Sequence, residues 1–305
     1  MSRSYQPNLS AGRGNSLGIG IFKLLLRCGF FRLSLLLAKT VTWFYARFDR
    51  TAFSATEDYL KLRFPEDSHC MRKLKRHFHR LIYELAKMLI LSYRMGIGKS
   101  PALEEVNAGF VPAEGGVVFV LAHYGCWQAS MELLNRKDGR AVNILARPDH
   151  NGNMDKFLAV RKRRNFKVIS TEGFSGGLIE ASAALERGEA LIVMGDRAVD
   201  GTAGIQADCL GGKIELPLSP WMIAARNSVP AVPVFTEFKT NPERIEIRYC
   251  RPILFPAQSR RIRPEELQSG LRQYAGELER AAMRSPYSVF RFGNEKTMHR
   301  HSAEN

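Results

Sequence analysis

From residue 115 onward, short apolar runs alternate with segments of helical periodicity. GGVVFVLA (115–122) is apolar and bounded by glycines, which predicts a strand buried on both faces. Comparable runs follow at 141–146, 166–170, 190–195, 229–235 and 244–249. Helical patterns lie near 127–136, 152–165, 175–187 and 219–227, and a last helix is predicted over 264–284. Such alternation predicts an α/β fold, a central mostly parallel or mixed sheet flanked by helices. Before residue 100 the pattern is helical alone. Residues 57–64 and 70–95 read as helices. In the second, Phe78, Leu81, Ile82, Leu85, Met88 and Leu89 recur at spacings of three and four.

Residues 17–48 are the most apolar stretch, but Lys23, Arg27, Arg32, Lys39 and Arg47 interrupt it. No window of about 18 residues is free of charge, so an ordinary transmembrane helix is not indicated. A cleavable signal peptide is not indicated either, because the basic residues sit inside the apolar region and no small-x-small site follows. On a helix, Arg32, Lys39 and Arg47 fall within roughly an 80° arc, and Leu, Phe, Ile and Trp43 lie between the basic positions. Lys23 and Arg27 share a face of a preceding turn, and Gly29 separates the two pieces. A basic stripe opposite a Leu/Phe face predicts an amphipathic helical segment lying in a lipid interface. The competing reading is a helix packed on the protein's own core.

Charge sharpens this division. The net charge is +15, and residues 1–100 hold 18 Lys/Arg against 6 Asp/Glu, an excess of 12. Arg72, Lys73, Lys75, Arg76 and Arg80 form a second basic patch. The excess suits an anionic membrane surface or an acidic protein. Nucleic acid is disfavoured, because the bases are diluted among aliphatic residues. The chain divides into a disordered tail (1–16), a basic, apolar helical membrane-association region (17–100), an α/β domain (101–292) and a polar tail (293–305). Cys28, Cys70, Cys126, Cys209 and Cys250 are scattered, odd in number and without metal-ligand spacing, so neither a disulfide framework nor a metal site is expected.

His123 directly follows the first apolar strand. In α/β sheets, ligands sit at the carboxyl ends of strands, and a histidine there has a pKa suited to general base work. Gly125 permits close backbone approach, and Gln128 is a polar group five residues on. Two further clusters end strands. Arg147 closes the run 141–146, with Arg161 on the following helix; arginine forks suit phosphate oxygens. Asp196 and Arg197 follow the run 190–195, as a salt bridge or as a pair positioning a head group. Cys126 is read as a packed thiol before a nucleophile. LGGKIELPLSP (210–220) reads as a glycine- and proline-marked loop ahead of a helix.

Taken in order, VVFVLAHYGCWQ (117–128), Arg147 to Arg161, GDRAVDG (195–201), LGGKIELPLSP, VPAVPVF (229–235) and Pro286-Tyr287-Ser288-Val289-Phe290 resemble the late acyltransferases of bacterial lipid A biosynthesis, within the lysophospholipid acyltransferase superfamily. The resemblance spans residues 17–292 and includes Tyr59-Leu60 and the helix ending Tyr93-Arg94-Met95-Gly96. It implies that His123 deprotonates a hydroxyl or amine of a membrane lipid or glycolipid, such as a lipid A precursor. That group then attacks the thioester of acyl carrier protein or coenzyme A, with no metal or other cofactor. It also implies work on the cytoplasmic face of a bacterial inner membrane, monotopic or single-pass. Catalysis would fall to His123 and Gln128, and substrate binding to Arg147, Arg161, Asp196 and Arg197.

Two positions depart from the family pattern. Ser219 stands where a glycine is usual before Pro220, which alters loop geometry only. Gln128 stands where the family has a carboxylate. A carboxylate fixes the imidazole tautomer and stabilises the imidazolium, whereas an amide oxygen accepts the same hydrogen bond without bringing charge. In serine-protease triads the Asp→Asn change costs about 10⁴ in turnover. Glu132 and Asp196 are the carboxylates able to substitute. The second reading is therefore a catalytically weakened or inactive lipid-binding protein on the same fold.

Overall fold

Four helices precede the sheet: α1 (Ser16–Arg27), α2 (Phe31–Phe48), α3 (Arg50–Arg63) and α4 (Met71–Gly96). The structure, a computed structural model, describes residues 16–130, 139–146, 166–172, 176–197, 204–255, 262, 264–290 and 298–300. The break between α1 and α2 falls at Gly29, whose φ of +87° suits glycine. Asp49 opens α3 by accepting a 2.9 Å hydrogen bond from the Ala52 amide. The ends of α1 and α4 are tied together by Lys99, which donates to the Arg27 carbonyl at 2.9 Å.

The predicted apolar runs become strands. β2 (Val117–Gly125), β3 (Val142–Ala146), β4 (Phe166–Ser170), β5 (Ala190–Met194), β8 (Ala231–Thr240) and β9 (Glu243–Tyr249) join β1 (Ala102–Val106) in a seven-stranded sheet of order β1-β9-β8-β2-β5-β3-β4. Every pairing is parallel except β8 with β9. β1 has no apolar run; its charged edge blunts a sheet margin, which hides it from a hydrophobicity reading. α5 (Leu178–Glu186) lies between β4 and β5, and α6 (Ser219–Arg226) and α7 (Pro264–Arg284) follow later in the chain. The predicted helix at 152–165 lies outside the described residues, as does most of the one at 127–136.

The stretch read as a loop at 210–220 is a correction. β6 (Gly204–Cys209) and β7 (Gly212–Pro217) form an antiparallel hairpin turned by Leu210 (φ +55°) and Gly211 (φ +73°), and α6 starts at Ser219. Two positive φ values in a two-residue turn match strand twist. β10 (Met298–Arg300), inside the expected polar tail, pairs antiparallel with β7.

β2 divides its side chains between two cores. Val118, Val120, Ala122 and Tyr124 join one that includes Tyr59, Phe78, Trp221 and Tyr274. Phe119 and Leu121 join another with Met88, Leu91 and Met95 of α4. The residues before and after position 100 thus share both cores.

A buried carboxylate ties the end of α7 to the sheet. Glu237 on β8 accepts from Tyr124 Oη (2.6 Å), Arg284 Nε (2.8 Å) and Ser285 Oγ (2.9 Å), and pairs with Lys239. Burial alone would push the Glu237 carboxyl up; hydrogen bonds from Lys239, Tyr124 and Arg284 outweigh it and hold it at about 2. Because the folded value lies below the ordinary 4.5, this stabilisation is complete above pH 4.5 and is lost as pH falls towards 2. Glu237→Ala, followed by urea denaturation at neutral pH, is expected to cost about 1–3 kcal/mol, because it removes the acceptor of the Tyr124 and Ser285 hydroxyls while Arg284 and Lys239 stay solvated. In Glu237→Gln, an acid titration followed by circular dichroism should lose stability less steeply between pH 4.5 and 2 than wild type.

Candidate active site

Every residue of β2 is buried except His123, whose side chain is 29% exposed. Its position follows from register. Leu121 pairs with Met194 across the parallel β2 and β5 strands, so two residues further along each chain His123 stands opposite Asp196. Gly195 makes the approach possible: its amide donates to the Leu121 carbonyl at 2.8 Å, and an added Cβ would lie 2.3 Å from Val120 Cγ1.

Asp196 is almost wholly buried and holds His123 twice. Its Oδ2 accepts from the His123 backbone N–H at 3.1 Å, and its carboxylate meets ring Nδ1 at 3.0 and 3.2 Å. A carboxylate at Nδ1 favours the tautomer protonated there and leaves the Nε2 lone pair available. Trp127 sets its ring edge-on to the imidazole at 5.5 Å, restricting rotation.

Gly125 and the segment 286–290 shape the surroundings. Gly125 adopts φ +53°, and an added Cβ would meet the Thr236 carbonyl oxygen at 2.0 Å. The next two amides are committed: Gly125 N–H donates to Ser288 O (2.7 Å) and Cys126 N–H to Thr236 O (2.9 Å). The segment 286–290 lies along this end of β2. Val289 bridges Tyr124, Phe290 N–H donates to the His123 carbonyl at 2.7 Å, and Arg197 donates to the Phe290 carbonyl. Tyr59 Oη donates to Pro286 O at 2.5 Å, and His77, joined to Asp67 at 2.9 Å, lies 2.8 Å from Tyr287 Oη.

The site residues read from sequence therefore separate. His123 and Asp196 come together, with Asp196 against the imidazole. Arg197 lies 4.0 Å from Asp196 Oδ2 and holds the terminal segment. Gln128, in a 3-10 turn over 127–130, does not take the hydrogen bond expected of it. Its Oε1 is buried without a partner among the described residues, because the imidazole nitrogen it was to hold already faces Asp196. Arg147, Arg161 and Glu132 lie outside the described residues. Cys126 is buried and its thiol is pushed up to about 12, chiefly by burial, which removes the thiolate a nucleophile requires. Sequence reasoning missed Glu237; its signal was a charged residue between Phe235 and Phe238 in an otherwise apolar strand. Among the described residues no group of His, Cys, Asp and Glu is arranged to hold a metal ion.

Comparison with known proteins follows the same line. Residues 6–261 match the family described as bacterial lipid A biosynthesis acyltransferase. No curated protein matches the chain. Among solved structures, it is similar to the 1-acyl-sn-glycerophosphate (LPA) acyltransferase PlsC from Thermotoga maritima, at 15% identity and a TM-score of 0.38, covering 81% of this chain and 97% of that one. The family match spans well over half of the sequence, so the protein belongs to the bacterial lipid A biosynthesis acyltransferase family and is a lipid acyltransferase.

Proposed function

We propose that His123 is the general base of a direct acyl transfer from an acyl carrier protein or coenzyme A thioester to a hydroxyl or amine of a membrane lipid or glycolipid, a lipid A precursor being the leading acceptor. The observation that carries this is the contact of 3.0 Å between His123 Nδ1 and the buried Asp196. Nε2 takes the acceptor's proton as its oxygen or nitrogen bonds to the thioester carbonyl carbon. The tetrahedral intermediate collapses, the carbon–sulfur bond breaks, and the imidazolium returns the proton to the departing thiolate. Asp196 holds the ring and stabilises its positive charge, replacing the carboxylate missing at Gln128. This removes the main argument for an inactive lipid-binding protein.

The reaction is proposed to occur on the cytoplasmic face of a bacterial inner membrane, with α1 and α2 lying monotopically on an anionic lipid surface. Support comes from how α2 packs. Its buried residues are Ser34, Ala38 and Thr42, while Leu36, Trp43, Phe44 and Phe48 are exposed. A helix packed only on its own core would present the opposite faces. Lys23, Arg27, Arg32, Lys39 and Arg47 are exposed among these side chains. No helix among the described residues is long and apolar enough to cross a membrane. The exposed cations Arg72, Lys73, Lys75, Arg76 and Arg80 of α4 suit an acidic carrier protein. Arg147 and Arg161 are retained as candidates for phosphate groups of the acceptor.

Transfer from acyl carrier protein and from acyl-coenzyme A to bacterial membrane lipids, read by mass spectrometry, tests the assignment. His123→Ala and Asp196→Asn are each expected to lower turnover about 10²–10⁴-fold. Cys126→Ala should retain activity without an acylated enzyme. Gln128→Glu should bring no rise, because Nδ1 already faces a carboxylate. Full activity in His123→Ala would overturn the mechanism. Separately, the protein is expected to float with phosphatidylglycerol vesicles, and charge reversal at Arg27 and Lys39 together should weaken that binding roughly tenfold or more. Unchanged flotation after reversal would exclude an electrostatic contact through this face.

A further inference from the structure

A cleft of about 260 Å³ lies between α1, α2 and α4. Its walls include Phe22, Ala38, Val41, Ala86, Leu89 and Tyr93. The hydroxyl of Thr42, which also lines it, donates to the Ala38 carbonyl at 2.8 Å and is satisfied within its own helix. Water needs two or more polar partners to settle in a cavity, and these walls offer few. They favour an apolar occupant.

Among the described residues lining the cleft, Lys23 is the one that is charged; it is exposed, with its ammonium 6.0 Å from the centre of the Tyr93 ring. Arg27 stands one turn further along α1 and is also exposed. Val41 and Leu89 are exposed as well, so the cleft is continuous with the outward apolar surface of α1 and α2. An apolar slot with cations beside it matches an amphiphile with an acyl chain and an anionic head group. The slot is separate from the reaction site. Ala86, Ile90 and Tyr93 occupy one face of α4, whereas Met88, Leu91 and Met95, on the opposite face at about 100° per residue, pack in the core with Phe119 and Leu121 of β2.

We propose that this cleft seats one acyl chain of an anionic phospholipid, with its phosphate beside Lys23 and Arg27, as a second lipid site distinct from the one at His123. The inference rests on the membrane-surface reading of α1 and α2, since the lipid is drawn from the bilayer they contact.

The test uses the full chain in solution with monomeric lysophosphatidylglycerol carrying a photoreactive diazirine on its acyl chain, and the lysophosphatidylcholine analogue in parallel. After irradiation, labelled residues are mapped by peptide mass spectrometry. Labelling is expected to concentrate on the cleft-lining residues of α1, α2 and α4. Ala86→Phe, which fills the slot, should reduce it about tenfold. Lys23→Glu lies outside any core; it should reduce labelling by the phosphoglycerol lipid about fivefold and leave the phosphocholine lipid little changed. Labelling scattered over the exposed apolar surface and insensitive to both substitutions would overturn the site. Flotation with phosphatidylglycerol vesicles is read separately. Flotation without cleft labelling removes the cleft and keeps the membrane contact, and cleft labelling without flotation does the reverse.

Discussion

The parallel pairing of β2 with β5 is the constraint from which the site follows. With Leu121 opposite Met194, the strands deliver His123 and Asp196 side by side at their carboxyl ends. A slip of one residue would turn His123 to the opposite face of the sheet. That slip is opposed on both faces of β2, because Phe119 and Leu121 fill one core while Val118, Val120 and Tyr124 fill the other. The hydrophobic pattern of a fully buried strand therefore does chemical work at a distance: it fixes where an imidazole nitrogen lies.

The carboxylate comes from a neighbouring strand rather than from the turn that follows the histidine. A carboxylate on a buried strand end is held by backbone geometry. Asp196 gains from this, because it receives the His123 amide as well as the ring. Multiple donors are what a buried carboxylate needs to stay ionised. Gln128 is left with a buried oxygen that has no partner among the described residues. An unmet acceptor of that kind costs about 1–3 kcal/mol, and nothing among those residues accounts for its retention.

Much of this was legible from residue pattern alone, and for stated reasons. Six strands of the main sheet are apolar runs, and β2 carries a histidine two residues before its end. Gly125 announced a close approach, and Asp196 stood among the carboxylates able to serve. What was not legible depended on pairing between distant segments. The choice between Glu132 and Asp196 needs the strand order β2-β5, which no local pattern encodes. The charged edge of β1 conceals a strand, and the β6–β7 hairpin reads as a loop because two glycines and two prolines mark its neighbourhood. Tyr59 and Tyr287 drew notice only as parts of a resemblance. Their roles emerge from hydrogen bonds that span more than two hundred residues.

Helix α4 connects the two ends of the molecule. One of its faces packs under β2, and the other meets α1 and α2. The small side chains Ser34, Ala38 and Thr42 let α2 approach α4 closely, and they leave the large apolar residues of α2 nowhere to go but outward. Leaving that surface in water costs roughly 25 cal/mol per Å², so the fold keeps it exposed against a steady penalty. On the proposed membrane-surface reading, a bilayer contact would remove the penalty and, because α4 packs against both β2 and the apolar helices, would tie the position of β2 to that contact. Under the same proposal, an acceptor whose reactive group sits at the head-group level would meet His123 without leaving the interface, and one shared helix would link the apolar helices to the strand that carries the proposed base.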